Sequence, residues 1–376
     1  MSSGSNSVLV QDIGEQGLLA RLQRFCPPDI IGDDAAVIPV PEEGKSLVVT
    51  TDILVDGVHF SDRTTSPEDV GWRAAAANLS DLAAMGASPL GITVGLSVNG
   101  EVAVSWVEQL YQGLTYCLEQ YNTPIVGGDI CRSPVRSISI TAFGQVASHR
   151  TLRRSAAQVG DAIVVTGVHG ASRGGLELLL NPKSGLHLRE TERRSLILAH
   201  QRPQPRLDVV PILGNILSPI SLVVHNNKFD GSARHGDMET RGRGERKTCQ
   251  NRIGGLLAGM DSSDGLADAV VQICRASGVG AVVDRNKIPL PPALNQLVSL
   301  EEVWDWVLYG GEDFELVLCL SAELAEVLVE QLGAGAAVIG KITTGNRVWL
   351  TDSSDIYADE ELSLSRGFQH FGNFRF

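Results

Sequence analysis

The side chains best suited to chemistry are acids that stand beside glycine, serine or threonine, next to apolar runs. Six such clusters occur, at residues 32–34, 50–52, 78–81, 127–129, 261–265 and 310–313. Asp52 and Asp129 each follow an apolar run, which predicts that both carboxylates emerge at the ends of strands. Asp81 instead interrupts an alanine-rich helical segment, where a charge in apolar surroundings is expensive unless it has a partner.

Magnesium is the partner that such a set of acids favours. It takes oxygen ligands and is typically held by a few carboxylates together with nucleotide phosphates. Aspartates that converge from separate turns repel one another, whereas two or more Mg²⁺ ions with ATP would neutralise them. The clusters therefore predict phosphoryl transfer, in which the protein positions the reactants and offsets their charge.

Each cluster also has an ordinary structural explanation. Asp33 and Asp34 are compatible with a solvated turn, and Glu312 with a hairpin turn. Asp261 and Asp264 are compatible with capping the helix that follows them. Turn chemistry alone does not readily account for six clusters of this kind in one chain, so together they favour metal and nucleotide binding.

Composition limits the class of protein. The chain has 376 residues, 43% of them hydrophobic, and a net charge of −13. This length and composition predict a soluble enzyme of two or three domains. The acidity argues against nucleic-acid and membrane partners. No apolar stretch is long enough to span a bilayer and the N-terminus lacks a secretory pattern, so we expect a cytoplasmic protein.

Apolar runs alternate with helical segments, which predicts an α/β (α+β) fold. Strands are predicted at 46–51, 91–98, 124–126, 137–146, 161–166, 280–283, 314–320 and 336–342. A helix is predicted over 67–85, with Ser66 as its N-cap and Pro67 in its first turn. A second is predicted to begin at Ser105, with Glu108 completing a capping box. A third is predicted between Ser321 and Gly333.

Two domains are expected, 1–150 and 151–376, because a polar, arginine-bearing segment separates two sets of strands and helices near 149–160. Residues 226–252 contain no Leu, Ile or Val and carry seven Lys and Arg against four Asp and Glu. Such a segment cannot pack a core. We therefore expect a mobile, disordered insertion at about 214–254 in the second domain.

The acidic motifs, taken in order, resemble those of the thiamine-monophosphate kinase family. The resemblance covers about residues 12–371 and rests on Ile31-Gly-Asp-Asp-Ala-Ala-Val37, Thr50-Thr-Asp-Ile-Leu-Val-Asp-Gly-Val-His-Phe60, Asn78-Leu-Ser-Asp-Leu-Ala-Ala-Met-Gly-Ala87, Gly127-Gly-Asp129, Asp261-Ser-Ser-Asp-Gly265, Gly310-Gly-Glu-Asp-Phe-Glu-Leu316 and Gly367-Phe-Gln-His-Phe371. It implies ATP-dependent phosphorylation of thiamine monophosphate to thiamine diphosphate. It also implies a two-domain fold like that of aminoimidazole ribonucleotide synthetase, in a homodimer whose N-terminal sheets pair into a barrel.

The resemblance also assigns roles to individual residues. Magnesium would be bound by Asp34, Thr50, Thr51, Asp52, Asp81, Asp129, Asp261 and Asp264, with Asp33 ranked below them. Among these, Asp52, Asp129 and Asp264 would be catalytic. ATP would contact Gly128, Asp129, Arg154 and Ser263. Thiamine monophosphate would lie among His59, Glu312 and Phe368, with Glu312 facing either its pyrimidine edge or its cationic thiazolium ring.

The acceptor in this reaction is itself a phosphate and is largely anionic at neutral pH, so no general base is required. We therefore expect direct in-line transfer without a covalent enzyme intermediate. Selenophosphate synthetase and a hydrogenase maturation protein share the implied fold, but the cysteines they require are not found at the corresponding places. A magnesium-dependent phosphohydrolase remains an alternative, and a calcium-binding module fits less well because no D-x-D-x-D-G loop is present.

Overall fold

A four-stranded sheet forms the first half of the molecule. The computed structural model describes residues 8–25, 42–226 and 257–367. The strands are β1 (Lys45–Val55), β2 (Ser88–Val98), β3 (Ile125–Arg132) and β4 (Ser137–Ala147), arranged in the order β1-β4-β2-β3. β4 pairs antiparallel with both β1 and β2, whereas β3 runs parallel to β2. Three helices accompany this sheet: α1 (Val10–Leu22), α2 (Pro67–Ala84) and α3 (Val104–Glu119).

A seven-stranded sheet forms the second half. Its strands are β5 (Ala162–Val165), β6 (Ala258–Asp261), β7 (Gly280–Asp284), β8 (Leu316–Leu320), β9 (Ala337–Thr343), β10 (Val348–Thr351) and β11 (Glu360–Glu361), in the order β11-β10-β7-β9-β5-β8-β6. Only the β7–β10 pair is parallel among these described strands. The helices of this half are α4 (Ala171–Leu180), α5 (Glu190–Gln201), α6 (Val209–Asn226), α7 (Leu266–Ser277), α8 (Leu294–Leu297), α9 (Leu300–Tyr309) and α10 (Ala322–Leu332).

Every predicted strand overlaps an observed one, and the mixed α/β architecture is confirmed. The N-cap of α2 is confirmed as well, because Ser66 Oγ accepts a hydrogen bond from the Asp69 N–H at 3.2 Å. The predicted cap at Ser105 is wrong. Helix α3 begins at Val104, and the N-cap Ala103 has no side chain that accepts a hydrogen bond.

The predicted end of the strand before Asp129 also needs correction. Strand β3 continues to Arg132, so Asp129 lies within the strand, opposite Gly95 of β2. Pairing with β2 supplies hydrogen-bond partners that carry the strand past its two glycines. Helix α6 continues through Asn226, so residues 214–226 of the expected insertion are helical, and the rest of it, 227–254, lies outside the described residues.

Both sheets contribute to one buried hydrophobic cluster, which contains Leu79 of α2, Ile140 of β4 and Leu318 of β8. A second buried cluster lies within the C-terminal half. The segment after α5 also binds α2, since Trp72 Nε1 donates to the Pro203 carbonyl at 2.8 Å. These contacts hold α2 between the two sheets. Within the described ranges, no helix is both long and apolar enough to cross a membrane.

Candidate active site

Acidic side chains from separate elements meet where α2 lies between the two sheets. Asp52 comes from β1, Asp81 from α2 and Asp261 from the end of β6. The Asn78 side chain accepts from the Asp52 backbone N–H at 3.2 Å, and the Thr50 hydroxyl donates to Asp81. These bonds fasten the middle of β1 to α2, so residues far apart in sequence share one site.

The charges at this site oppose one another. Burial, followed by the carboxylates of Asp81 and Asp264, raises the pKa of Asp52 to about 6. Burial also raises the pKa of Asp81, and Asp264 adds to this effect, while the Thr50 hydroxyl and Arg154 act against it. One unit of pKa corresponds to about 1.4 kcal/mol of difference between the two protonation states. Ionising these groups together is therefore costly in the absence of a counter-charge.

Asp261 is the most deeply buried member of the set, at 3% exposure. Its carboxylate accepts hydrogen bonds from Ser80 Oγ at 2.7 Å and Ser263 Oγ at 3.1 Å. Burial and the nearby Asp81 nevertheless raise its pKa to about 7. Such a carboxylate is held in position by its neighbours, and no cationic side chain is among the described groups that shift its pKa.

A divalent cation fits this donor set chemically. Within residues 8–25, 42–226 and 257–367, no three His, Cys, Asp or Glu side chains are close enough together to bind a metal by themselves. The carboxylates nevertheless act on one another electrostatically, since Asp81 raises the pKa of both Asp52 and Asp261. Magnesium commonly uses one or two carboxylates and completes its shell with water and substrate phosphates. The described site fits this mode of magnesium coordination, in which the protein supplies only some of the ligands.

Arg154 and Asp268 lie beside these acids. Arg154 precedes β5 and donates to the Gln272 side chain at 2.7 Å, and its charge lowers the pKa of Asp81. Asp268 lies in the first turn of α7, and burial, together with Asp264, raises its pKa, opposed by Gln272 and Arg154. Asp268 is not among the residues predicted from the sequence. The available signal was its position in the first turn of the helix that follows the Asp261–Gly265 motif.

Several predicted site residues are not brought to this cluster. Asp129 is exposed on β3, and its carboxylate accepts from the Ile130 N–H at 2.9 Å. Strands β4 and β2 lie between β3 and β1, so Asp129 is not beside Asp52. The Thr51 hydroxyl lies 2.8 Å from the Thr141 hydroxyl on the opposite face of β1, because successive side chains alternate along a strand. Three further candidates lie outside the described residues: Asp33, Asp34 and Phe368.

A second group of predicted residues surrounds Glu312. The turn that carries it rests on the Asp261 turn, since the Glu312 N–H donates to the Ser263 carbonyl at 2.7 Å. Glu312 forms an ion pair with Arg73 of α2, and His59 contributes to its electrostatic environment. The His59 ring accepts a hydrogen bond from the Val55 N–H at 3.0 Å. Sequence analysis missed Arg73, which lies in a helix and belongs to no acidic motif.

This fold and this site define a class of protein. The family model of the AIR synthase related protein, N-terminal domain, matches residues 32–146. The model of the corresponding C-terminal domain matches residues 158–353. The chain is therefore an AIR synthase related protein with both parts present.

Individual relatives narrow the class. A thiamine-monophosphate kinase from Synechococcus elongatus is 49% identical over 362 residues, which cover 96% of this chain and 98% of that relative. The crystal structure of the thiamine-monophosphate kinase from Stenotrophomonas maltophilia K279a is 33% identical and superposes with a TM-score of 0.68, covering 89% of this chain and 94% of that one. The chain belongs to the thiamine-monophosphate kinase family.

One solved relative carries ligands. AaThiL complexed with AMPPCP and TMP is 30% identical and superposes with a TM-score of 0.63. The match covers 92% of this chain and 96% of that one. That protein therefore binds an ATP analogue and TMP on a fold like the one described above.

Proposed function

We propose that this protein transfers the terminal phosphoryl group of ATP to thiamine monophosphate and so forms thiamine diphosphate. The observation that carries the proposal is the meeting of Asp52, Asp81 and Asp261 from three separate elements, with pKa values raised by burial and by one another. Membership of the kinase family supports the same reaction. The ligands of the solved relative support the two substrates.

Magnesium fits the proposed site, and the chain's own residues would hold it. Asp52, Asp81 and Asp261 offer carboxylate oxygens, and the Thr50 hydroxyl offers a further one. When bound, the cation supplies neutralisation of phosphate charge. The resemblance adds Asp34, Thr51, Asp129 and Asp264 to the proposed ligands, although Thr51 and Asp129 lie outside the cluster of Asp52, Asp81 and Asp261 in this structure.

The remaining residues bind and orient the two substrates. Arg154 brings a positive charge beside Asp81 and suits contact with ATP phosphates, together with Gly128, Asp129 and Ser263. His59 and Glu312, with Phe368, would contact thiamine monophosphate. Since the acceptor phosphate is already anionic, we infer in-line transfer without a general base or a covalent enzyme intermediate.

We also propose that the protein is a homodimer that pairs its four-stranded sheets. In β1 the outer side chains Leu47, Val49 and Ile53 are 49%, 53% and 54% exposed. An apolar strip of this kind on an acidic protein favours burial against a second copy. In this arrangement the N-terminal domain, 1–150, carries metal, nucleotide and dimer contacts, and 151–376 supplies the rest of the site.

The substitution Asp52→Asn tests the proposed activity. We expect wild-type protein to consume ATP only when thiamine monophosphate and Mg²⁺ are both present. Asp52→Asn should lower kcat/KM by about a hundredfold or more, because it removes a charged oxygen from the phosphate-neutralising set. A coupled ADP-release assay measures both results.

The surface change Glu326→Gln is the matched control, since this exposed residue lies on the outer part of α10. It should retain wild-type turnover. Full activity of Asp52→Asn would contradict the site assignment. ATP consumption that does not depend on thiamine monophosphate would instead favour the phosphohydrolase alternative.

A further inference from the structure

Arg73 is a buried cation at the junction of three elements. It projects from α2 and is 3% exposed. Its guanidinium donates to the Glu312 carboxylate and to the carbonyl of His200 at the end of α5, while its Nε has no hydrogen-bond partner within the described part of the chain. A buried arginine is costly unless its partners are well placed. The arrangement therefore directs this charge to one carboxylate.

The backbone of the turn beneath Glu312 is already fixed by other contacts. Glu312 and Phe314 have φ values of +59° and +53°, a conformation that is unfavourable for residues other than glycine. The neighbouring Asp313 carboxylate accepts from the backbone N–H groups of Gly170 and Ser172, at 2.7 and 2.9 Å. Asp313 thus holds the backbone of the turn against α4. These contacts do not fix the direction of the Glu312 side chain.

Charge around Glu312 is balanced by Arg73. The side chain of Glu312 is 34% exposed, so it reaches the accessible part of the site. Burial favours its neutral form, but the charge of Arg73 outweighs this and leaves its pKa below the ordinary value. Burial and Arg73 lower the pKa of His200 to about 4, so that ring is neutral near pH 7. The second oxygen, Oε2, lies 3.8 Å from His200 Nδ1, which is beyond hydrogen-bond distance.

We propose that Arg73 is a positioning residue that acts through Glu312. It fixes one carboxylate oxygen, balances the charge, and presents the other oxygen as a hydrogen-bond acceptor. A balanced carboxylate suits a neutral N–H donor such as the aminopyrimidine of the acceptor better than a cationic ring. This inference rests on the proposed function, because it takes Glu312 to face thiamine monophosphate.

The test compares Arg73→Gln, Glu312→Gln and the double variant. Arg73→Gln should raise both the Kd of thiamine monophosphate, measured by calorimetry, and its KM by about tenfold or more, the scale of a charged hydrogen bond. The KM for ATP should stay within about twofold of the wild-type value. Because Arg73 acts through Glu312, the double variant should bind no more weakly than Glu312→Gln alone.

The substitution Arg73→Lys covers the case in which Arg73→Gln does not fold. Lysine keeps the charge but cannot reach both partners with one planar group, so an intermediate rise in Kd is expected. An unchanged Kd in either variant, additive effects in the double variant, or an equal rise in the KM for ATP would overturn the proposal.

Arg202→Gln is the matched control, because Arg202 also joins α2 to the segment after α5, through Glu68 at 2.6 Å and Asp69 at 2.7 Å. It should leave the Kd of thiamine monophosphate unchanged; an equal rise there would mean that any loosening of α2 suffices and would overturn the proposal. Wild-type protein that binds thiamine monophosphate without consuming ATP would contradict the proposed function and leave this binding test valid. Wild-type protein that does not bind it would contradict both.

Discussion

Individual carboxylates at the site carry unfavourable electrostatic energy when no cation is present. Asp261 shows this best, because it is buried, accepts hydrogen bonds from two serines, and still has its pKa raised to about 7. Hydrogen bonds to serine hydroxyls stabilise an anion, but they do not cancel the repulsion from Asp52 and Asp81. The position of Asp261 thus suits cation binding, but its charge lowers the free energy of unfolding of the metal-free protein.

This predicts a pH dependence of the metal-free protein. The pKa of Asp261 rises from 3.8 to about 7 on folding, so the folded state binds more protons in that interval. The contribution of Asp261 to the free energy of unfolding therefore decreases as pH rises from 3.8 to about 7 and is lowest above it. The variant Asp261→Asn has no carboxyl group to titrate at this position. Its free energy of unfolding should therefore increase relative to that of wild type as pH rises.

Urea denaturation in the presence of a chelator, at about pH 6 and about pH 8, measures the difference between the two proteins. Comparing wild type with Asp261→Asn removes the contributions of titrating groups that do not interact with Asp261. A difference that is the same at both pH values would show that Asp261 is not strained by its charge.

Among the elements, β3 depends on an unusually close approach to β2. A Cβ atom added at Gly128 would lie 2.1 Å from the Val94 carbonyl oxygen, closer than any real side chain comes to backbone. At the adjacent Gly127, an added Cβ would lie 3.7 Å from a methyl group of Thr93, an ordinary contact. A side chain therefore fits at position 127 but not at position 128, so of these two glycines only Gly128 is required for the strand pairing.

The pair Gly128→Ala and Gly127→Ala tests this difference. Gly128→Ala should lower the free energy of unfolding by about 1–3 kcal/mol, the usual effect of overpacking. Gly127→Ala should change it by no more than about 0.5 kcal/mol, because alanine fits there and restricts the unfolded chain. Urea denaturation of both variants gives the comparison, and equal stabilities would disprove the close approach.

At the scale of the whole molecule, β1 carries an exposed apolar strip on the outer face of the four-stranded sheet, in a chain whose net charge is −13. Val49 and Ile53 are more than half exposed, and Val49 lies opposite Phe143 of β4. The inner faces of the same strands pack against α2, which in turn packs against α3. A sheet that is covered by a helix on one face and carries an exposed aliphatic strip on the other is suited to pairing with an identical sheet.

The double substitution Val49→Lys with Ile53→Lys should convert a dimer into a monomer, since two lysines on each copy would place like charges at the interface. Sedimentation velocity measures the change. Ile356→Lys is the control, because Ile356 is 75% exposed but lies outside this sheet. A wild-type monomer, or a variant that remains dimeric, would contradict the proposed pairing.

Local patterns predicted much of the fold. Apolar runs located eight strands, and Ser66 with Pro67 located the start of α2, because alternation and capping depend on neighbours in sequence. The strands β6, β10 and β11 were not predicted. β11 is only two glutamates, and β6 includes Gly259 and Asp261 among its four residues, so neither forms an apolar run. The cap at Ser105 was wrong because a capping sequence is a local preference that the contacts around Ala103 can override.

The sequence by itself determined the chemistry available to this protein: the acidic motifs, their order and the family they identify. Only the tertiary structure decided which acids act together. Asp52 and Asp81 meet Asp261 because α2 packs between two sheets, whereas strand alternation points Thr51 away and pairing with β2 leaves Asp129 exposed. Arg73 and Glu312 are 239 positions apart, and their pairing follows from packing that no local pattern records.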